Sequence, residues 1–115
     1  RGGHNIHPTK IEDLAIKHAG VEKAAAFPIP DERLGEKVGL AVIPSGIGAP
    51  TGDALLSHLY ETGLSIQDMP EYYIAMDALP LTASGKILKR ELAEWARAGT
   101  IAPEPIRFIR PNEES

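Results

Sequence analysis

Residues 21–44 read VEKAAAFPIPDERLGEKVGLAVIP, and no other stretch restricts the fold as much. The first ten residues form a small-residue apolar run, which suits a largely buried strand. KVGLAVIP, residues 37–44, is a second such run, and the DERLGE between them is a turn. Two apolar runs joined by five or six turn residues predict a β-hairpin. The economical way to bury such a sheet is to pack helices on it.

The flanking segments supply those helices. Ile11, Leu14, Ala15 and His18 fall at i, i+3, i+4 and i+7, one face of a helix that Gly20 can close. Thr9 stands three residues before Glu12, the capping-box spacing. A second helix begins near Asp53, turns Leu55, Leu56 and Leu59 inward, and ends at Gly63. In PEYYIAMDALP, Tyr72, Ile74 and Met76 alternate with Tyr73, Ala75 and Asp77, as in a half-buried strand. A third helix carries Leu88, Leu92, Trp95 and Ala96 on one face. The last 17 residues, with three prolines, read as an irregular tail strapped down by Ile106, Phe108 and Ile109. The expected fold is α+β: a small, three-stranded, mainly antiparallel sheet packed with about three helices.

Composition narrows the function. A net charge of -4 opposes a general affinity for nucleic acid or anionic membrane, and 5% aromatic residues leave little for a base-stacking surface. With no cysteine there is no disulfide framework and no thiolate zinc or redox site. No apolar run approaches the roughly 20 residues of a membrane span. A cytoplasmic setting is expected. A chain opening on RGGHNIHP, with paired glycines, is expected to be a piece of a longer protein.

The chemistry-bearing motifs are few. His4 and His7 lie in a proline-bounded loop with no further ligand to complete a metal site, so no metal is assigned. His18 and His58 fit a core or its rim. Lys86 follows Ser84-Gly85 and stands at the expected start of the third helix, within PLTASGKILKREL. Ile87 follows where a P-loop requires Ser or Thr, so the phosphate-loop reading is set aside. A cation at a helix start opposes the macrodipole by roughly a few tenths of a kcal/mol. Lys86 therefore calls for an offsetting contact or a function, and the residues alone leave both open.

Two segments together carry a resemblance. RGGHNIHPTKIED resembles the segment that opens the small C-terminal domain of the adenylate-forming acyl-CoA synthetases, and DALPLTASGKILKREL resembles the one that closes it. Between them the hairpin, with its Pro-Asp-Glu turn, is similar to the family's central hairpin. The resemblance runs from Arg1 to about Leu92 and implies a mobile C-terminal domain at 1–98, with a tail at 99–115. It implies a ligase that joins a carboxylic acid to coenzyme A (CoA), with ATP cleaved to AMP and pyrophosphate. Lys86 would be the catalytic lysine of adenylation. Gly3, flanked by Gly2 and His4, would line the pantetheine tunnel in the second step. A large N-terminal domain of the same protein would be the partner, binding ATP and Mg²⁺. The isolated piece would be inactive. Loading of a carrier protein, and a non-catalytic binding role, are the alternatives.

The sequence also departs from the family's pattern. IQDMPEYY places Asp68 and Glu71 where many relatives carry lysines before the third strand. The nucleotide phosphates of CoA would then be met by Arg33, Lys37 or the large domain, or the acceptor differs.

Overall fold

The computed structural model describes residues 7–31 and 35–108. Helix α1 spans Pro8–Ala15, with proline in its first turn, where a missing N–H costs nothing. His7 is the N-cap and makes no side-chain cap bond, and Thr9 lies inside the helix, so the expected capping box does not form. The helix stops at Ala15, and His18 follows in a turn. Its buried face is Ile11, Leu14 and Ala15.

Strands β1 (Val21–Asp31) and β2 (Gly35–Pro44) form the expected hairpin, paired antiparallel from Val21↔Pro44 to Asp31↔Gly35. Pairing runs further than the apolar pattern suggests. Only residues 32–34 connect the strands, in place of five or six, and they lie outside the described residues.

Helix α2 (Gly52–Glu61) is capped by Thr51, whose side chain accepts the Ala54 N–H at 3.1 Å. It crosses over to β3 (Tyr72–Ala75), which pairs parallel with β2, as a βαβ connection allows. Helix α3 (Lys89–Ala98) follows, and the two-residue strand β4 (Glu104–Pro105) then pairs antiparallel with β3. The sheet order is β1-β2-β3-β4. The α+β expectation holds, with four strands rather than three and one parallel pairing.

Both faces of the sheet are covered, and strand parity assigns the side chains. Ala24, Ala26, Leu40, Val42 and Tyr73 join α1 and α2 in one core. Ala25, Phe27 and Ala41 face the other way, toward Leu79 and Leu92 of α3. An irregular register between Val21 and Lys23 resets the alternation, so Val21 turns to the first core although its odd number would send it to the second.

The described part of the tail packs on the domain. The Ile106 N–H donates to the Glu71 carbonyl at 3.0 Å, and the rings of Tyr60 and Phe108 lie 4.9 Å apart. A Cβ on Gly52 would sit 2.6 Å from Ile106 Cγ2, so this glycine permits the strap's close approach. Ile109 lies outside the described residues. No helix among the described residues is long and apolar enough to cross a membrane.

Candidate functional site

Lys86 does not begin a helix. Residues 81–87 form a small hairpin of their own, bridged between Leu81 and Ile87, and α3 starts only at Lys89. The Thr82 N–H donates to the Lys86 carbonyl at 2.8 Å, and the Gly85 N–H donates to the Thr82 carbonyl at 2.9 Å. Lys86 N–H donates to Thr82 Oγ1 at 3.0 Å, and that hydroxyl pairs with Ser84 Oγ at 3.0 Å. Gly85 has φ +89°, a left-handed conformation suited to glycine. The turn thus differs from the flexible hinge that a Ser-Gly pair suggests, because its backbone is bonded shut.

The lysine itself is exposed, and among the described residues no hydrogen bond or ion pair engages its ammonium. A compact positive charge on a rigid support can stabilise developing negative charge without moving a proton. The helix-dipole cost attached to a helix-start lysine disappears with the helix start. Leu81 and Leu88, 46% and 36% exposed, lie on either side of it in sequence.

Behind the turn is a feature that sequence reasoning missed. Glu12 Oε2 accepts the Ala26 N–H of β1 at 2.8 Å and pairs with Lys89 Nζ at 2.5 Å. The glutamate expected to cap its own helix instead links α1, β1 and α3. Its only sequence signal is the i+3 spacing that suggested the cap.

A second candidate region is an open cleft of about 380 Å³ beside β3. Lys37, Glu71, Tyr72, Arg107 and Phe108 help to line it, and Lys37 Nζ stands 5.7 Å from the Tyr72 ring centroid. Arg107 carries no sequence signal for this place, because the proline-rich tail shows no strand periodicity. Arg33 lies outside the described residues, as do Gly2, Gly3 and His4. The acidic residues of IQDMPEYY do not form an outward acidic surface. Asp68 is buried, and Glu71 is half-buried with Oε1 accepting the Val38 N–H at 3.4 Å.

His18 and His58 belong to the scaffold. His18 Nδ1 accepts the Gly20 N–H at 2.9 Å, and His58 Nε2 donates to the Leu14 carbonyl at 2.8 Å. Their rings meet edge to face at 5.0 Å, joining the end of α1 to α2. Burial pushes the Tyr73 phenol above its ordinary 10.0, with the charge of Glu104 adding to the effect. The Tyr73 hydroxyl donates to the Pro50 carbonyl at 2.8 Å.

The sequence and the fold both have relatives among known proteins. The family model described as AMP-binding enzyme C-terminal domain matches residues 10–86, and the chain belongs to that family. Among its relatives, the feruloyl-CoA synthase of an Amycolatopsis species is 40% identical over 91 residues, covering 79% of this chain and 18% of the relative. The mitochondrial medium-chain acyl-CoA ligase of Mus musculus is 36% identical over 94 residues, covering 82% of this chain and 15% of the relative. The solved structure of a Mycobacterium tuberculosis fatty acyl CoA synthetase superposes with a TM-score of 0.76 at 31% identity, covering 85% of this chain and 19% of that one. The chain therefore spans less than a fifth of each of these proteins.

Proposed function

We propose that this domain serves an ATP-dependent, AMP-forming acyl-CoA ligase and works against a large N-terminal ATP-binding domain of the same protein. The observation that carries the reading is Lys86, an exposed ammonium on a hydrogen-bonded turn, within a fold of this family. In the first step a carboxylate oxygen attacks the α-phosphorus of ATP and pyrophosphate leaves. Negative charge spreads over the reacting oxygens, and Lys86 stabilises it electrostatically. In the second step the CoA sulfur attacks the acyl carbon and AMP leaves.

The domain turns between the steps and presents a different surface to each. Gly2, Gly3 and His4 line the pantetheine path in the second, where a side chain at Gly3 would crowd the thiol arm. The cleft that carries Lys37 and Arg107 is the part of the domain best suited to the nucleotide phosphates of CoA. Among the described residues no three His, Asp or Glu side chains converge as a metal site, so Mg²⁺ is assigned, with ATP, to the large domain. The domain alone is inactive in this reading. The absence of cysteine makes no demand for an oxidising compartment, and the reading includes a cytoplasmic setting.

The test is Lys86→Ala in the intact ligase. Adenylation, followed by pyrophosphate release, should fall several hundredfold, about 3 kcal/mol or more. Thioester formation from supplied acyl-adenylate should stay near the parent rate. Equal losses in both half-reactions would remove the assigned role.

A further inference from the structure

Lys86 is useful only if its turn keeps a fixed direction relative to the sheet. The chain leaves the second core at Leu79 and returns to it at Leu92, and no residue between them is buried. The backbone hydrogen bonds described for residues 80–88 close on the segment itself or on the first turn of α3. They stiffen the turn without fixing its direction. Half-buried Ile87 gives it apolar contact with the second core. The polar tie to the rest of the molecule comes through Lys89, three residues after Lys86 and the first residue of α3.

The partner in that tie is Glu12. Helices α1 and α3 pack against opposite faces of the sheet, and β1 is its outer strand. Glu12 reaches the edge of β1 from one side and takes the Ala26 amide, which β2 leaves unpaired. On the same oxygen it receives Lys89 from the other side. The Glu12 side chain is 19% exposed and that of Lys89 37%. A charge-assisted contact of this partial burial has better-defined geometry than a surface pair waving in water. One carboxylate thus clamps the base of the lysine turn to the edge of the sheet.

We infer that Glu12, acting through Lys89, is a positioning residue for Lys86. The inference rests on the adenylation role proposed above for that lysine. Loss of the clamp should widen the directions available to the ammonium and so lower the rate of a step that needs it in one place. It should leave substrate binding largely alone. The second half-reaction, which does not use Lys86 in this scheme, should be spared.

Glu12→Gln and Lys89→Met, each in the intact ligase, form the test, with Lys86→Ala alongside. Each clamp variant should slow adenylation kcat about tenfold with little change in the KM for ATP. Thioester formation from supplied acyl-adenylate should be unchanged. The double variant should be no slower than either single one, because the two side chains act as one device. Lys89→Arg should restore most of the rate. If Lys86→Ala abolishes adenylation while both clamp variants run at the parent rate, the positioning role is wrong and the reading of Lys86 stands. Equal slowing of both half-reactions would mark Glu12 as merely structural and also overturn the inference. If Lys86→Ala itself leaves adenylation intact, the underlying reading fails first.

Discussion

The two faces of the sheet are covered to different depths. On one, α1 and α2 enclose Ile11, Leu40, Val42, Leu55 and Leu59, none of which shows any surface to solvent. On the other, Leu79 and Leu92 are buried with Phe27, but Ile29, Ile43, Ile74, Met76, Ile87 and Trp95 remain half-covered. The first face is a finished core that holds the fold together. The second is covered by one helix and the lysine turn, and its rim still exposes apolar surface. That incomplete cover suits a domain proposed to dock on a larger one through the side that carries Lys86.

The comparison predicts unequal costs for similar truncations. Leu59→Ala, in the finished core, should destabilise the domain by about 2–5 kcal/mol in denaturant unfolding. Gly52→Ala drives a Cβ into Ile106 and should cost about 1–3 kcal/mol. It should also speed hydrogen exchange at the Ile106 amide ahead of global unfolding, since the strap yields first. Ile43→Ala, on the half-covered face, should cost only about 1–2 kcal/mol, because less area leaves water there on folding. If Ile43→Ala matched Leu59→Ala, the contrast between the faces would be wrong.

The smallest effect concerns pH. The Tyr73 phenol is held above its ordinary value of 10.0 in the folded state, first by burial and then by Glu104. Its contribution is complete below that value and is lost as pH rises through it toward the folded value, because the unfolded chain ionises first. Tyr73→Phe should make stability fall less steeply on the alkaline side. A slope identical to the parent's would remove Tyr73 from the account.

How much could be read in advance depended on whether the cause was local. The hairpin runs and Leu55, Leu56 and Leu59 identify their elements because periodicity reports burial directly. The resemblance of the SGK segment singles out Lys86, but the residue lies in a closed turn and not at a helix start. The apolar pattern of the helix holds only from Leu88 onward, and Ser84-Gly85 marks a turn before it. The parallel pairing of β3 could not be read from four residues, since alternation does not reveal direction. Strand β4 was hidden by its two-residue length and by Pro105. Glu12 shows the limit most clearly. Its spacing satisfied a local rule, while its partners lie 14 residues away in one case and on the far side of the sheet in the other.

The strap has a consequence for association between molecules. An exposed strand edge invites pairing with another chain, and a parallel inner strand such as β3 would be a ready template. Strand β4 pairs with Tyr72 and Tyr73 of that edge and places Pro105, which has no amide hydrogen to offer, on the outer strand. At the opposite edge, the Ala26 amide of β1 is already taken by Glu12. Each outer strand thus carries a feature that weakens it as a template for pairing, Pro105 on one and the Glu12 carboxylate on the other.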